Sequence, residues 1–332
     1  MSRHKEIDLT KVEALPIGAR KNKVTVKDFA GLSGGSGFEA FWRSLPGILA
    51  GAEIKQLVRA MEAAKEKGKP VIWLMGAHVI KVGLSPMVID LMERGYVSAV
   101  GLNGAGAIHD SEVAMIGATS EDVAAGIRSG EFGMSKETAE LLNGAVNVGV
   151  AEGLGLGEAA GRALAAKGGR GKSKLKYPGL SILGSAFRLG IPATVHIAIG
   201  TDIVHLHPSF DASLAGEGTY RDFKIMANVI SRVGGGGVIL NVGSSVILPL
   251  VVEKSLAAAR NLGCKVEKFT GANLDFIKHY RPNLNPVMRA VELGGQGITI
   301  IGHHELTVPL IYWALRTGVE RKSARGGGAK GK

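Results

Sequence analysis

The residues able to do acid–base chemistry in this sequence gather behind glycines. They occur in Gly76-Ala-His78, in Asn103-Gly-Ala-Gly-Ala-Ile-His-Asp110, in Gly200-Thr-Asp202 with His205 and His207 close behind, and in Gly302-His-His304. Two further stretches, Gly243-Ser-Ser245 and Thr270-Gly-Ala-Asn273, repeat the pattern with hydroxyls and amides. Imidazole titrates near neutrality, so His109, His303 and His304 are candidate catalytic bases, with Asp110 or Asp202 placed to orient an imidazole or pair a substrate cation. Gly104-Ala-Gly106 lacks the third glycine of a dinucleotide fingerprint, and a tight turn is the plainer reading. A helix expected from near Asp110 and Glu112 would still aim backbone N–H groups at a phosphate or carboxylate. Gly234–Gly237 precedes a strand and reads as a turn, so the Gly243-Ser244 end is the better phosphate candidate. His196, His205, His207, His303 and His304 could ligate zinc or iron, although no His-Glu-x-x-His or Cys-x-x-Cys spacing accompanies them. Lys81 reads as a surface-turn lysine, with a desolvated nucleophile or an anion anchor as the rivals. No Walker A sequence, nucleophile elbow or zinc finger is present.

These stretches sit at the ends of apolar, β-branched runs: Val71–Gly76, Val97–Gly104, Ala193–Gly200, Gly237–Gly243, Lys265–Gly271 and Ile298–Gly302. Runs so short, continuous and bounded by turn residues predict buried strands. Helical spacing over 52–67 and 248–262, the latter closed by Gly263, fills the intervals. The alternation predicts an α/β fold: a Rossmann-like, doubly wound, mainly parallel sheet with helices on both faces, which binds ligands beyond the carboxyl ends of its strands. Residues 1–50 read as an N-terminal arm and 51–319 as a single α/β domain with a basic Gly/Lys-rich loop over 161–176. Residues 320–332 read as a disordered basic tail.

Composition narrows the function classes. With 45% hydrophobic and 21% charged residues among 332, the chain reads as globular rather than disordered. Its 49 glycines, about twice the usual share of about 7%, follow no collagen period. The net charge of +11 owes part of its size to the tail, and aromatic residues, at 5%, do not interleave with the basic stretches, which argues against nucleic acid as a partner. A lone Cys264 forms no internal disulfide, and neither an apolar leader nor an 18-residue uncharged apolar run occurs. A cytoplasmic protein with no membrane partner is expected.

The order Val71-Ile-Trp-Leu-Met-Gly-Ala-His78, Asn103–Asp110, Gly190-Ile-Pro-Ala193, Thr201-Asp202, Arg281-Pro282 and His304–Ile311 resembles the deoxyhypusine synthases and their bacterial and archaeal relatives, from Val24 to Ala314. The resemblance implies a homotetramer built as a dimer of dimers, with NAD near the subunit interface and a polyamine pocket beside it. By matched position it assigns the cofactor loop to Asn103, Gly104, Ala105, Gly106, His109 and Asp110, matches Thr201 and Asp202 to the family's Thr-Asp pair, and puts further cofactor contacts at Thr270, Gly271, Gly302 and His303. Two departures matter. The family's imine-forming lysine, with its glutamate and Trp-Gly pair, is missing from Arg281–Val291, where Arg289 is the nearest cation and its guanidinium cannot form an imine. The family's Lys-His-His is replaced by Ser244–Pro249. The sequence therefore predicts an NAD-binding transferase or oxidoreductase acting on a small amine or related metabolite, but not on the deoxyhypusine reaction. A metal-dependent enzyme using the histidines, or a catalytically silent oligomer that binds a metabolite, is the alternative.

Overall fold

The computed structural model describes residues 3–32, 34–166 and 175–321. Helices α1 (Phe38–Ser44) and α2 (Leu49–Glu66) precede β1 (Val71–Met75), and α3 (His78–Lys81) and α4 (Ser85–Glu93) lead to β2 (Ala99–Asn103). A helical excursion of α5 (Gly104–Ile116), α6 (Val123–Ser129), α7 (Lys136–Ala151), α8 (Leu156–Ala165) and α9 (Ile182–Leu189) returns the chain to β3 (Ala193–His196). Then come α10 (Ala212–Ile230), β4 (Val238–Val242), α11 (Ile247–Asn261) and β5 (Thr270–Asp275). The short α12 (Tyr280–Pro282) and α13 (Arg289–Glu292) precede β6 (Gln296–Ile301) and α14 (His304–Thr317).

Among the described residues six strands form one all-parallel sheet in the order β3-β2-β1-β4-β5-β6. This is the doubly wound Rossmann-like arrangement, whose strand order reverses between β1 and β4. Both sheet faces are covered. Val71, Trp73 and Met75 pack on one face with Leu57 and Met61 of α2 and Val308 and Ile311 of α14. Ile72 and Leu74 pack on the other with Met226 and Ile230 of α10 and Val252 of α11. Burial on both sides explains why the strand sequences run apolar without alternating. No helix among the described residues is long and apolar enough to cross a membrane.

The structure differs from the sequence expectation in four places. Lys265–Gly271 predicts a strand, but β5 begins at Thr270, where that run ends. A fully buried strand does not accommodate Lys265, Glu267 and Lys268, and Lys268 adopts a left-handed φ of 55°, which breaks the extended chain. The helix expected from near Asp110 starts six residues earlier, because the Asn103 side chain accepts the Gly106 N–H at 2.9 Å and caps α5 directly behind β2. The arm is irregular and exposed only through its first part, since buried Trp42 on α1 donates from Nε1 to Glu320 at 2.6 Å and ties α1 to the residues just after α14. Within the expected basic loop, Gly161–Ala165 belong to α8, whose Gly161 lies close against the Leu183 carbonyl. Residues 167–174 and the tail from 322 lie outside the described residues.

The exposed edge of β3 is closed by α10. Asp222 Oδ2 accepts the outward Val195 N–H at 2.7 Å and, at 2.8 Å, the Gly157 N–H in the first turn of α8. Thr219 completes the edge, accepting from Ile197 N–H and donating to the Val195 carbonyl. One carboxylate thereby joins an edge strand, a helix amino end and the helix that carries it. Burial pushes the Asp222 carboxyl up to about 7. Asp222→Ala leaves two buried N–H donors unpaired and is expected to lower the unfolding free energy by about 2–4 kcal/mol in urea titration. Asp222→Asn keeps an oxygen acceptor and should lose less than half as much. Equal losses for the two variants would show that the charge, not the pair of hydrogen bonds, matters.

Candidate functional site

At the carboxyl edge of the sheet the expected residues separate into two groups. The first surrounds a cavity of about 210 Å³ lined by Lys81, Ala105, His109, Glu112, Thr201 and Asp202, among others. The second lies over the ends of β4, β5 and β6.

Asp202 reaches the first group through the turn after β3. Gly200 adopts φ 93°, and His205 Nδ1 accepts the N–H groups of Gly200 and Asp202 at 3.1 and 3.2 Å, which fixes the turn. Thr201, whose hydroxyl donates to the Ala198 carbonyl at 2.7 Å, belongs to the same turn. The Asp202 carboxylate then lies against the start of α5, where a Cβ on Gly104 would collide with it. Gly104 is thus small in order to admit Asp202, and the space expected for a cofactor at that glycine is taken by the chain itself. Among the described residues no lysine or arginine pairs with Asp202. The ionisable group beside it is His205, with Nε2 at 3.9 Å, and burial of that ring, only 5% exposed, lowers its pKa and favours the neutral form. Burial raises the Asp202 carboxyl to about 6.

His109 reaches the cavity from the second turn of α5. Its Nδ1 lies 2.5 Å from Thr119 Oγ1, the Thr119 hydroxyl donates to Glu112 Oε2, and Glu112 sits one turn along the same helix. On its other side Glu112 accepts from Thr138 at 3.3 Å, and Thr138 is bonded to Ser135 at 2.7 Å. Burial alone would raise Glu112, but the neighbouring His109 and the hydroxyls of Thr119 and Thr138 outweigh it and hold the carboxyl below its ordinary value. Ser120, directly after Thr119, is held at φ 72°, a left-handed conformation uncommon for serine. Glu121 accepts the Gly133 N–H at 3.0 Å and pins the far end of this loop.

In the second group, Asn241 and Asn273 face each other in register on β4 and β5. The Asn241 amide donates to Asn273 Oδ1 at 2.8 Å and to the Ser244 carbonyl at 2.9 Å. Ser244 is buried, and its hydroxyl accepts the Leu248 N–H at 3.4 Å at the amino end of α11. His303 is exposed and stacks on Phe276 with ring centroids 6.1 Å apart and planes inclined by 7°. Gly302 lies just before it, at the end of β6.

Several expectations are corrected by these positions. Asp110, expected at the cofactor, is fully buried and faces α9: it accepts from the Ser181 hydroxyl at 2.6 Å and from the Ile182 and Leu183 N–H groups at 2.7 and 3.1 Å. It caps a helix, and burial raises its carboxyl to about 6 against those three donors. Gly106 approaches Leu102 and Asn103 rather than a ligand. Thr270 and Gly271 open β5, so they lie at the amino edge of the sheet, and Gly271 packs against the Pro286 carbonyl. His304 is fully buried with Nε2 3.1 Å from the Leu274 carbonyl, and its ring fills the space beside Gly243. It is a strut between strand ends, and burial lowers its pKa. Nor do the histidines converge. Among the described residues no group of three or more His, Cys, Asp or Glu side chains is placed to hold a metal. His196 is buried, 2.9 Å from Thr194 Oγ1, and His207 Nδ1 is bonded to Ser209 at 2.7 Å. The residues that sequence reasoning passes over are Thr119, Ser120 and Glu121. Glu112 has a legible signal, since positions i and i+3 share a helix face with His109. Thr119 has none, because only the turn after α5 brings it back.

No family model matches the chain, and no curated protein matches it by sequence. Solved structures do. The ternary complex of AgrE with ornithine and NAD+ superposes with a TM-score of 0.51 at 17% identity, covering 80% of this chain and 32% of that one. A conserved LOR/SDH candidate from Methanococcus maripaludis S2 gives 0.48 at 18% identity, over 80% and 68% of the two chains. The present chain spans about a third of AgrE's length. At these identities the likeness is one of fold. A candidate deoxyhypusine synthase from Entamoeba histolytica overlays at 0.43 and 12% identity, over 85% and 94%. That score leaves the deoxyhypusine synthase resemblance resting on the sequence motifs.

A buried carboxylate without a cationic partner costs stability when charged, and this one takes up a proton more readily folded than unfolded. With its carboxyl near 6 folded against an ordinary value of 3.8, Asp202 favours folding most below about pH 4 and loses that contribution as pH rises through 6. Asp202→Asn should therefore raise Tm at pH 8 by a few degrees, with the gain shrinking by pH 5, where wild-type Asp202 is protonated. Calorimetric melts of both proteins across that range test this. A variant less stable than wild type at pH 8 would mean that Asp202 already has a counter-charge.

Proposed function

We propose that this protein is an NAD-dependent enzyme acting on a small metabolite that carries an amine. The observation that carries the reading is the meeting, in one cavity at the carboxyl edge of a doubly wound sheet, of His109 on its Glu112–Thr119 support with the unpaired carboxylate of Asp202. A substrate ammonium would supply the charge Asp202 lacks. His109 would then take the proton released from the amine-bearing centre. The cavity is smaller than a typical site for a drug-sized ligand, at about 300 Å³ or more, which suits a small substrate and leaves a dinucleotide to lie across the sheet edge.

The residues present fit NAD at one loop and not at another. The strand order places a crevice between the ends of β1 and β4. Beside it the Gly243-Ser244-Ser245 turn leads into α11, a helix amino end suited to a phosphate. The Gly104–Gly106 turn, by contrast, is filled by Asp202, Leu102 and Asn103. NAD, when bound, supplies a hydride acceptor. The fold shared with AgrE, solved with ornithine and NAD+, agrees with this reading. Exposed Val246, Phe276, Ile277, Tyr280 and Leu306 follow the carboxyl ends of β4, β5 and β6 and would be covered in the homotetramer that the family resemblance implies. Deoxyhypusine synthesis is not the reaction. Arg289, where the family carries its lysine, pairs with Glu292 at 2.7 Å on α13, a helix that leads into the amino end of β6.

Titration calorimetry of the full chain with NAD tests the cofactor directly. Ser245→Glu places a negative charge beside the amino end of α11 at an exposed position and should weaken NAD at least about tenfold, as repulsion of a phosphate requires. Unchanged affinity would move the phosphates elsewhere. No heat at millimolar NAD, with no nucleotide co-purifying, would replace the enzyme reading by that of an oligomeric metabolite-binding protein.

A further inference from the structure

We propose that Glu112, acting through Thr119, is a positioning residue that holds His109 as the Nδ1–H tautomer and presents Nε2 to the cavity as a bare proton acceptor. The proposal rests on the reading of His109 as the base of this site, but its geometry stands apart from NAD.

The direction of each hydrogen bond follows from a count of protons. Glu112 has several donors around it and its carboxyl is held below its ordinary value, so near neutrality it is ionised and only accepts. The single Thr119 hydroxyl proton therefore goes to Glu112 Oε2. What Thr119 Oγ1 then offers, 2.5 Å from His109 Nδ1, is a lone pair, so the proton of that contact belongs to Nδ1. Direct contact between Nδ1 and Glu112 is longer, at 3.5 Å. The second oxygen of Glu112 is settled in the same way: Thr138 donates to Oε1 at 3.3 Å, and Ser135 donates to Thr138 at 2.7 Å. Every proton in the chain from Ser135 to His109 then has one place. Nε2 has no partner among the described residues, and His109 lines the cavity that also holds Asp202.

A second feature points the same way. Thr119 belongs to the short connection between α5 and α6, and its neighbour Ser120 is held at φ 72°. Strained non-glycine backbone persists where surrounding structure imposes it, and such positions concentrate at functional sites. Here Ser120 directly follows the Thr119 whose hydroxyl reaches back to α5, in a turn that begins at the left-handed cap Gly117, φ 75°. A proton taken by Nε2 leaves an imidazolium with both nitrogens protonated, Nδ1–H still on Thr119 and its charge faced by Glu112. Lys81, Glu121 and Asp202 are the other charged groups lining the cavity.

The test is the tautomer itself. Long-range proton–nitrogen correlation spectra of the full chain labelled with 15N-histidine, recorded without cofactor at about pH 8, above the ordinary histidine range, report which ring nitrogen is protonated. His109→Gln identifies the signals by their loss. Wild-type protein should show His109 protonated at Nδ1. Thr119→Val, which keeps the shape and removes the hydroxyl, should shift most of the population to Nε2–H, and Thr119→Ser should restore the wild-type pattern. Glu112→Ala frees the Thr119 proton to turn toward Nδ1 and should shift the tautomer as Thr119→Val does. Should Thr119→Val not fold, the wild-type and Glu112→Ala spectra still decide. An Nε2–H tautomer in wild type overturns the proposal, as does a wild-type pattern in Glu112→Ala. Because the spectra need no NAD, their outcome is independent of the calorimetric test of the cofactor.

Discussion

The organisation of this molecule depends on buried carboxylates that take the N–H groups of helix amino ends and of the sheet edge. Asp222 accepts from β3 and from the first turn of α8, and Asp110 accepts from the first turn of α9 and from its cap, Ser181. Each is carried by a different helix, α10 or α5, so each bond joins elements far apart in sequence. A helix amino end presents orphan donors and partial positive charge, and a carboxylate satisfies both at once. Such sites fix angle and register together, because an N–H accepts little misalignment. The Asp110 bond sets how α5 lies against α9, and the Asp222 bond sets where β3 ends.

Against that background Asp202 stands out. It too is an aspartate beside the start of a helix, partly buried, yet among the described residues no lysine or arginine pairs with it. The difference shows in what raises each carboxyl. Burial raises all three, but it is opposed by two or three donors at Asp110 and Asp222, whereas at Asp202 burial is the cause that counts. A charge kept in this condition costs stability, and proteins keep such costs where a ligand relieves them. His109 is treated in the opposite way, with a carboxylate and three hydroxyls arranged behind one ring nitrogen. The hydrogen-bonded support thus stands on the His109 side of the cavity and not on the Asp202 side, the asymmetry on which the proposed function rests.

The glycines illustrate how a motif can be right about place and wrong about purpose. Gly104 and Gly243 both sit at strand ends where a side chain would collide, as the fingerprint reading requires, but the colliding atoms belong to Asp202 and His304. Close approach is real; its partner is another part of the chain. The same holds for His304, which resembles a catalytic imidazole in sequence and serves as a hydrogen-bonded strut in the fold.

The apolar runs around Val71–Met75, Ala193–His196 and Val238–Val242, with glycine after each or shortly beyond, were enough to specify parallel strands buried on both faces, because few other structures tolerate such runs. The family motifs marked Asn103–Ala105, His109, Thr201 and Asp202, all of which the fold gathers around the carboxyl ends of β2 and β3. Three things were decided only in three dimensions. The position of β5 depends on the Asn241–Asn273 amide pair, which makes a polar strand tolerable and which no local pattern announces. The separation of Asp110 from Asp202 depends on which way each faces after the helices pack. Thr119 enters the site because the turn after the Gly117 cap of α5 brings it back onto His109, a contact made across ten residues. Local sequence encodes periodicity and turn chemistry over a few residues. Which buried polar atom meets which is settled by the packing that excludes water from both.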